Sequence, residues 1–362
     1  MSGGVDSTVS AFLLKKKGCD VTGIYMVNWD SQEEGSANCS RTKDEADARK
    51  ACDRLEIPFV KANFVKEYWN EIFLGLIENY KRGRTVVPDV KCNQAIKFHH
   101  LHNFAKENLD VNYVATGHYA STSYGNYQES RNEQKKIRLL TAADPLKDQT
   151  YFLCTLNQSQ LKRAMFPLGS LMKTRVKKIA EEQGFMDIAQ KPESMGICFV
   201  GKRKKFDEFM DQYIEEKPGK IITRDGTVLR QHNGIHHFTL GKRIRWTSGN
   251  HLGYYVVDID MDTNNVTVVE GNNHPALFAT QIVIKEPQWI ADRPDEGDST
   301  LECRIQRTHP SVPCRIAHRG DGLLTVTPRI PLRAAASGQM CIFYRGNECL
   351  GGAEVEYVAR TL

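Results

Sequence analysis

Ser2-Gly3-Gly4-Val5-Asp6-Ser7 stands directly after Met1 and directly before an apolar helical pattern. Two adjacent glycines let the backbone approach an anion closely, and Ser2 and Ser7 add hydroxyl donors. Val5, Val9, Phe12 and Leu13 recur at helical spacing, which predicts a helix over 5–17 that stops at Gly18. The first-turn amides and the positive end of the helix dipole then face the same point as the loop, so the stretch reads as a phosphate cradle. It lacks the lysine of the common G-x-x-x-x-G-K-[ST] loop. Asp6 is expected to cap the helix or to face a magnesium ion held by the phosphates. Such a loop normally follows a buried strand of a doubly wound sheet, with the anion at the strand's carboxyl end. No strand pattern precedes Ser2, so the expectation is a parallel sheet without its first strand. That would cost roughly 1.5–3 kcal/mol for each apolar side chain the strand would have buried.

Downstream, strand and helix patterns alternate. Strands are expected at 20–27, 57–64 and 111–116, and helices at 42–55, 65–82 and 93–108, with Thr42 and Glu45 as a capping box for the first of these. This alternation predicts an α/β domain, a parallel sheet covered on both faces. A polar loop at 125–136 leads to an ordered stretch at 144–156, a basic-faced helix at 171–183 and a short helix at 206–213. After Pro218-Gly219 the pattern turns to short β runs, at 254–259 and 266–269 among others. A second change near 272–275 leads to strands at 301–305, 323–327 and 339–344, with Asp321-Gly322 as a hairpin signal. The organisation expected is a doubly wound domain over 1–205, a small mostly-β domain over 206–274 and a C-terminal β-barrel over 275–362.

At 362 residues, 40% hydrophobic and 26% charged, the composition is that of a globular protein of two or three domains. No apolar run is long enough to span a membrane, and no signal or transit peptide is visible. A net charge of +5 permits a polyanionic partner without demanding one. Lys202-Arg203-Lys204-Lys205 and the run from Lys173 to Lys178 fit either solvated helix faces or a polyanion surface. None of the ten cysteines forms a Cys-x-x-Cys pair, so no zinc ribbon, iron–sulfur site or other structural metal is expected. A reducing compartment is expected instead.

Four strings hold residues suited to chemistry. Pro88-Asp89-Val90-Lys91-Cys92-Asn93 sets a cysteine before a helix, where the dipole favours thiolate, with Asp89 near enough to move a proton. Ser194-Met195-Gly196-Ile197-Cys198-Phe199 flanks a second cysteine with a tight apolar run. On pattern alone, each cysteine also fits a buried core position. Thr116-Gly117-His118 ends a strand where parallel sheets bind ligands. Lys147-Asp148-Gln149-Thr150-Tyr151-Phe152 mixes charge, amide and aromatics in a way that suits an unpaired base.

The loop resembles the PP-loop of the ATP pyrophosphatases. In the order SGGVDS, PDVKCN, ATGHYA, KDQTYFL, GICF and HHFTLGKR, the strings resemble the tRNA 2-thiouridylases over essentially the whole chain. The run Val65-Lys66-Glu67-Tyr68-Trp69-Asn70 and Glu193-Ser194-Met195-Gly196 are most similar to the mitochondrial branch, which implies a mitochondrial location. The resemblance implies ATP-dependent exchange of oxygen for sulfur at carbon 2 of the wobble uridine of tRNA. By motif, Met1, Ser2, Gly3, Gly4, Val5, Asp6, Ser7, Met26 and Gly117 would bind ATP, with Mg²⁺ as its counter-ion. Cys198 would carry sulfur as a persulfide, Cys92 would be the nucleophile that releases it, and Asp89 the acid/base. Val87, Pro88, Asp89, His118, Lys147, Asp148, Gln149, Arg304, Ile305 and Gln339 would contact tRNA. A sulfur-donor protein of a cysteine desulfurase pathway and a reductant for the Cys92–Cys198 disulfide are implied as partners, and no membrane. Two departures touch the base pocket: Val87 stands where the family usually has Asn, and Lys242 where it has Gln. The alternatives are a tRNA-binding protein without turnover and another PP-loop adenylating enzyme.

Overall fold

The computed structural model describes residues 1–29, 40–192, 206–244 and 252–360. Gly4 is extended (φ −101°, ψ 162°) and hands over to the helix Val5–Lys16, which buries Val5, Val9, Ala11 and Leu14. Two lysines in its last turn suit the negative dipole end, and Gly18, at φ 82°, reverses the chain. The strand Gly23–Val27 pairs in parallel with Phe59–Asn63, from Gly23↔Phe59 to Val27↔Asn63. A second parallel pair joins Val114–Ala115 to Ala164–Met165. Among the described residues the two pairs are not hydrogen-bonded to each other, and the Met1 amine donates to the Ile24 carbonyl at the edge of the first. The helices Val5–Lys16, Ser40–Arg54 and Lys173–Glu182 share one apolar core that includes Val9, Ala51, Cys52, Val176 and Ile179.

Three helix starts differ from expectation, one of them only in that the helix expected from 171 begins at Lys173. The helix expected from 93 begins at Pro88, because proline suits the first helical position, where its missing N–H costs nothing. It continues as wide i→i+5 turns over Cys92–His100 and as an α-helix over Leu101–Leu109. Cys92 therefore lies a full turn inside the helix rather than at its tip. The helix expected from 42 begins at Ser40, so Thr42 stands within its first turn, and Glu45 pairs with Lys61 at 2.9 Å.

The central domain is a four-stranded sheet in the order Val228–His232, Gly219–Thr223, Asn265–Glu270, Tyr254–Asp260. Gly226, at φ 89°, turns its first hairpin. In the last domain, Phe278–Lys285 pairs with both Leu323–Pro328 and Glu348–Arg360. Those two pairings close a barrel of six antiparallel strands with Val312–His318, Glu302–Arg304 and Met340–Arg345. Asp321-Gly322 forms the expected turn, with Gly322 at φ 76°.

The first domain does not end where the barrel begins. Its hairpin Ser121–Thr122/Leu139–Leu140 adds to the barrel strand Glu348–Arg360 through Leu139↔Cys349 and Leu140↔Glu348. One core unites Val90, Phe98, Tyr151, Leu153 and Phe166 with Ile290, Met340, Ile342, Tyr344 and Cys349.

Candidate adenylation and sulfur-transfer site

The loop Ser2–Ser7 is tied by its own hydroxyls. Ser7 Oγ donates to the Gly4 carbonyl at 3.0 Å and lies 3.1 Å from Ser2 Oγ, and the Ser2 N–H donates to Ser7 Oγ at 3.2 Å. Gly3 takes φ 73°, which favours glycine, and Lys191 Nζ donates to its carbonyl at 3.0 Å. Asp6 makes no helix cap, contrary to expectation. Its carboxylate is instead taken by Lys173, whose Nζ lies 2.7 Å from both oxygens, and by the Tyr119 hydroxyl at 2.9 Å. This ion pair explains why Asp6 turns from the helix amides: a charged donor binds a carboxylate more strongly than an amide does.

Lys173 and Tyr119 both bind the Asp6 carboxylate, and sequence reasoning missed them. Lys173 belongs to a basic run that fits a solvated face, yet its side chain is only 9% exposed. It starts the helix Lys173–Glu182, and its N–H donates to Asp144 Oδ2 at 2.9 Å. Asp144 Oδ1 accepts from Leu146 N and Lys147 N. One buried aspartate thus anchors both the lysine that meets Asp6 and the loop that carries Lys147. Gly117 also reaches the phosphate loop, since a Cβ there would lie 2.9 Å from the Asp6 carbonyl carbon and the Ser7 nitrogen.

Met26 and Cys92 pack in one aromatic cluster with Trp29, Trp69 and Phe73. A cavity of about 490 Å³, lined by Trp29, Asn63, Val65, Lys66 and Trp69, opens where the strands Gly23–Val27 and Phe59–Asn63 end. Ligands bind at the carboxyl ends of parallel strands in such folds. Cys92 is buried. Asp89, one turn earlier, is half-buried; burial raises its carboxyl above 3.8, opposed by the Lys97 charge. Cys198 lies outside the described residues, as do Glu193 to Gly201.

Residues 1–202 match the family model described as the tRNA methyl transferase HUP domain, 207–270 its PRC-barrel domain and 279–355 the aminomethyltransferase beta-barrel domain. The chain is 55% identical to the probable mitochondrial tRNA-specific 2-thiouridylase 1 of Caenorhabditis elegans, over 100% of this chain and 98% of that one. It is 40% identical to the human mitochondrial tRNA-specific 2-thiouridylase 1, over 98% of this chain and 89% of the other. It is also 40% identical to the tRNA-specific 2-thiouridylase MnmA of Citrobacter koseri, over 98% and 95%. The chain belongs to the tRNA-specific 2-thiouridylase family. No helix among the described residues is long and apolar enough to cross a membrane.

Of the positions expected at tRNA, Asp148, Gln149, Arg304 and Ile305 gather where the first domain meets the barrel. Asp148 is buried; its Oδ1 accepts from the Ala142 N–H at 3.0 Å, its Oδ2 from the Thr150 hydroxyl at 2.7 Å, and Arg304 Nη1 stands 4.0 Å away. Burial raises the Asp148 carboxyl, against those hydrogen bonds and the Arg304 charge. Arg304 lies over the Tyr344 ring, 4.9 Å from its centroid. Gln149 exchanges two bonds with Tyr119, through Oε1 at 2.9 Å and its own N–H at 2.8 Å. The Ile305 carbonyl accepts from the Tyr151 hydroxyl at 3.1 Å. Gln339 is set apart from this group, its Oε1 accepting from the Ala336 N–H at 3.0 Å. Val87 (φ −114°, ψ 88°) stands before Pro88 and packs on the shared core. His118 is buried beside Phe98 and Phe166, with Nδ1 2.8 Å from the Thr116 hydroxyl, and burial holds it well below 6.5. It is therefore neutral at physiological pH.

Proposed function

We propose that the chain is a tRNA sulfurtransferase that makes 2-thiouridine, acting in mitochondria like the two relatives whose names say mitochondrial, and that it uses ATP to activate the base. The observation that carries the reading is the phosphate loop, folded at a helix N-terminus with Asp6 clasped by Lys173 and Tyr119, in a chain of this family. The units at work are 1–205, 206–274 and 275–362.

ATP binds over Met1 to Ser7, with Met26 and Gly117 beside the adenosine. The loop amides, the helix dipole and Lys173 draw charge from the phosphates. With both Asp6 oxygens held by Lys173 Nζ, Asp6 fits a magnesium ion only if Lys173 shifts toward phosphate; Mg²⁺ supplies charge neutralisation there. The carbonyl oxygen at carbon 2 of the wobble uridine attacks the α-phosphorus and pyrophosphate leaves. The terminal sulfur of a Cys198 persulfide then attacks carbon 2, and AMP leaves with the oxygen. Cys92 attacks the inner sulfur of Cys198, which forms a Cys92–Cys198 disulfide and leaves sulfur on carbon 2. A dithiol reductant supplies two electrons to reopen the disulfide, and a persulfide-bearing donor of the cysteine desulfurase pathway recharges Cys198. Asp89 moves the protons of the thiol steps. Lys147, Gln149 and Arg304 meet the anticodon loop. Asp148, His118, Val87, Pro88, Ile305 and Gln339 shape that surface, the first two from beneath it.

Incubation with ATP, Mg²⁺, tRNA and a persulfide donor should yield 2-thiouridine by mass spectrometry. Cys92→Ser and Cys198→Ser should each abolish it while tRNA-dependent release of pyrophosphate persists. Intact thiolation in either variant refutes the cysteine scheme. Binding of tRNA without any AMP from the unaltered chain refutes the enzyme reading.

A further inference from the structure

Asp211, His236 and His237 converge where the first domain hands over to the central one. Asp211 follows the short helix Phe206–Met210, and the two histidines lie on the 3₁₀ turn Ile235–His237. Nε2 of His236 stands 2.9 Å and Nε2 of His237 2.7 Å from the same atom, Asp211 Oδ1. Consecutive side chains on a strand point to opposite faces, so two neighbouring imidazoles aimed at one oxygen need a special backbone. Gly234 supplies it. A Cβ at that position would run into Cε1 and Nδ1 of the His236 ring. The His236 side chain is only 2% exposed, so packing fixes its ring, whereas His237 (27%) and Asp211 (34%) leave the oxygen side reachable from solvent.

The ligand atoms lie within 4.8 Å of one another. Two ligands about 2.0–2.1 Å from a tetrahedral zinc ion stand about 3.3 Å apart, and the two N···O contacts of 2.9 and 2.7 Å already bring each imidazole nitrogen that close to the carboxylate oxygen. Two imidazoles and one carboxylate form a borderline donor set that suits zinc and the neighbouring divalent transition metals, not magnesium or calcium. Nearby, Lys242 pairs with Asp207 at 3.8 Å, which offsets its repulsion of a cation. The family resemblance assigns these three residues no role, and cysteine spacing points away from metal.

We propose that Asp211, His236 and His237 hold one divalent transition-metal ion, with water in the fourth position, that fastens the helix Phe206–Met210, whose Phe209 and Met210 pack into the first domain's aromatic cluster, to the turn Ile235–His237 of the central domain. The site is independent of adenylation and of the two candidate cysteines. Cobalt(II) serves as the probe, on full-length protein stripped with chelator and fully reduced. One equivalent should bind with the visible absorption of a tetrahedral nitrogen–oxygen site, and zinc should displace it and raise the Tm. His237→Gln and Asp211→Asn both keep side-chain volume close to native. Each should weaken cobalt affinity at least thirty-fold and remove the zinc-dependent rise in Tm, while the metal-free Tm stays close to that of the unaltered protein. Three results would overturn the proposal: no binding at 100 µM cobalt, equal affinity in both variants, or a cobalt–thiolate charge-transfer band as the only signal.

Discussion

Asp6 and Lys173 decide what the phosphate loop does before substrate arrives. With Lys173 Nζ 2.7 Å from both carboxylate oxygens, the helix entrance holds a neutral pair rather than a lone anion that would repel phosphate. Lys173→Met keeps the stem packing and removes the charge. Asp6 is a third exposed, so solvent screening limits the stability loss to about 1 kcal/mol. AMP formation should fall at least tenfold, because the loop then confronts ATP with an unpaired carboxylate; normal AMP formation in this variant would show that the pair is only structural. Asp89 makes a different prediction. Burial raises its carboxyl above 3.8, so the folded protein favours its acid form more than the unfolded chain does. Its contribution to stability is full below the unfolded value and is lost as pH rises through the folded one. Asp89→Asn should therefore be neutral or stabilising at pH 7 by thermal melting. If Asp89 is the base, thiolation by the unaltered protein should fall on an acid limb centred above pH 3.8. The variant should lose about 10²–10⁴-fold in rate and lack that limb. A retained limb would assign it to another group.

Among the elements, the helix Lys173–Glu182 gives the best account of what was and was not legible. Its apolar spacing places it in the chain from sequence, since Val176, Ile179 and Ala180 recur on one face. The same reading makes Lys173 a surface lysine, because periodicity reports which face is apolar and not which long side chain reaches a carboxylate distant in sequence. Its anchor, Asp144, lies 29 residues earlier and shows no capping pattern in sequence. The Pro88 start is hidden in the sequence for a related reason: the hydrophobic period begins only after it, whereas proline's fit to the first turn sets the boundary. The placement of the Ser2–Ser7 loop at a helix start was legible because its pattern is local. Asp144→Ala tests the connection between distant elements. It removes the acceptor of the Lys173, Leu146 and Lys147 amides, and should cost about 1–2 kcal/mol by denaturant unfolding. If Asp144 positions both sides of the site, AMP formation and tRNA affinity should fall together. A stability loss with both parameters unchanged would make it a cap and nothing more.

Across the whole molecule, the barrel is structurally part of the catalytic half. Composition changes near 272–275 suggest a separable last domain, because sequence patterns mark strands and turns but do not show which core a side chain enters. The core around Val90, Phe98 and Phe166 takes Ile290, Met340, Ile342, Tyr344 and Cys349 from the far side of that boundary, and the strand Glu348–Arg360 carries the hairpin from the first domain on its edge. Removal of 275–362 should therefore do more than delete a tRNA surface. Five lost core side chains at roughly 1.5–3 kcal/mol each compare with about 5–15 kcal/mol of stability for a typical domain. It would also strip Arg304 from beside Asp148 and expose the edge of Leu139–Leu140. The expected outcome is a chain of 1–274 that aggregates or binds hydrophobic dye at 25 °C, and that makes no AMP even with free ATP and a short anticodon stem-loop. A soluble fragment with cooperative unfolding and normal ATP turnover would show that the first two domains carry their own core and that the barrel serves only to hold tRNA.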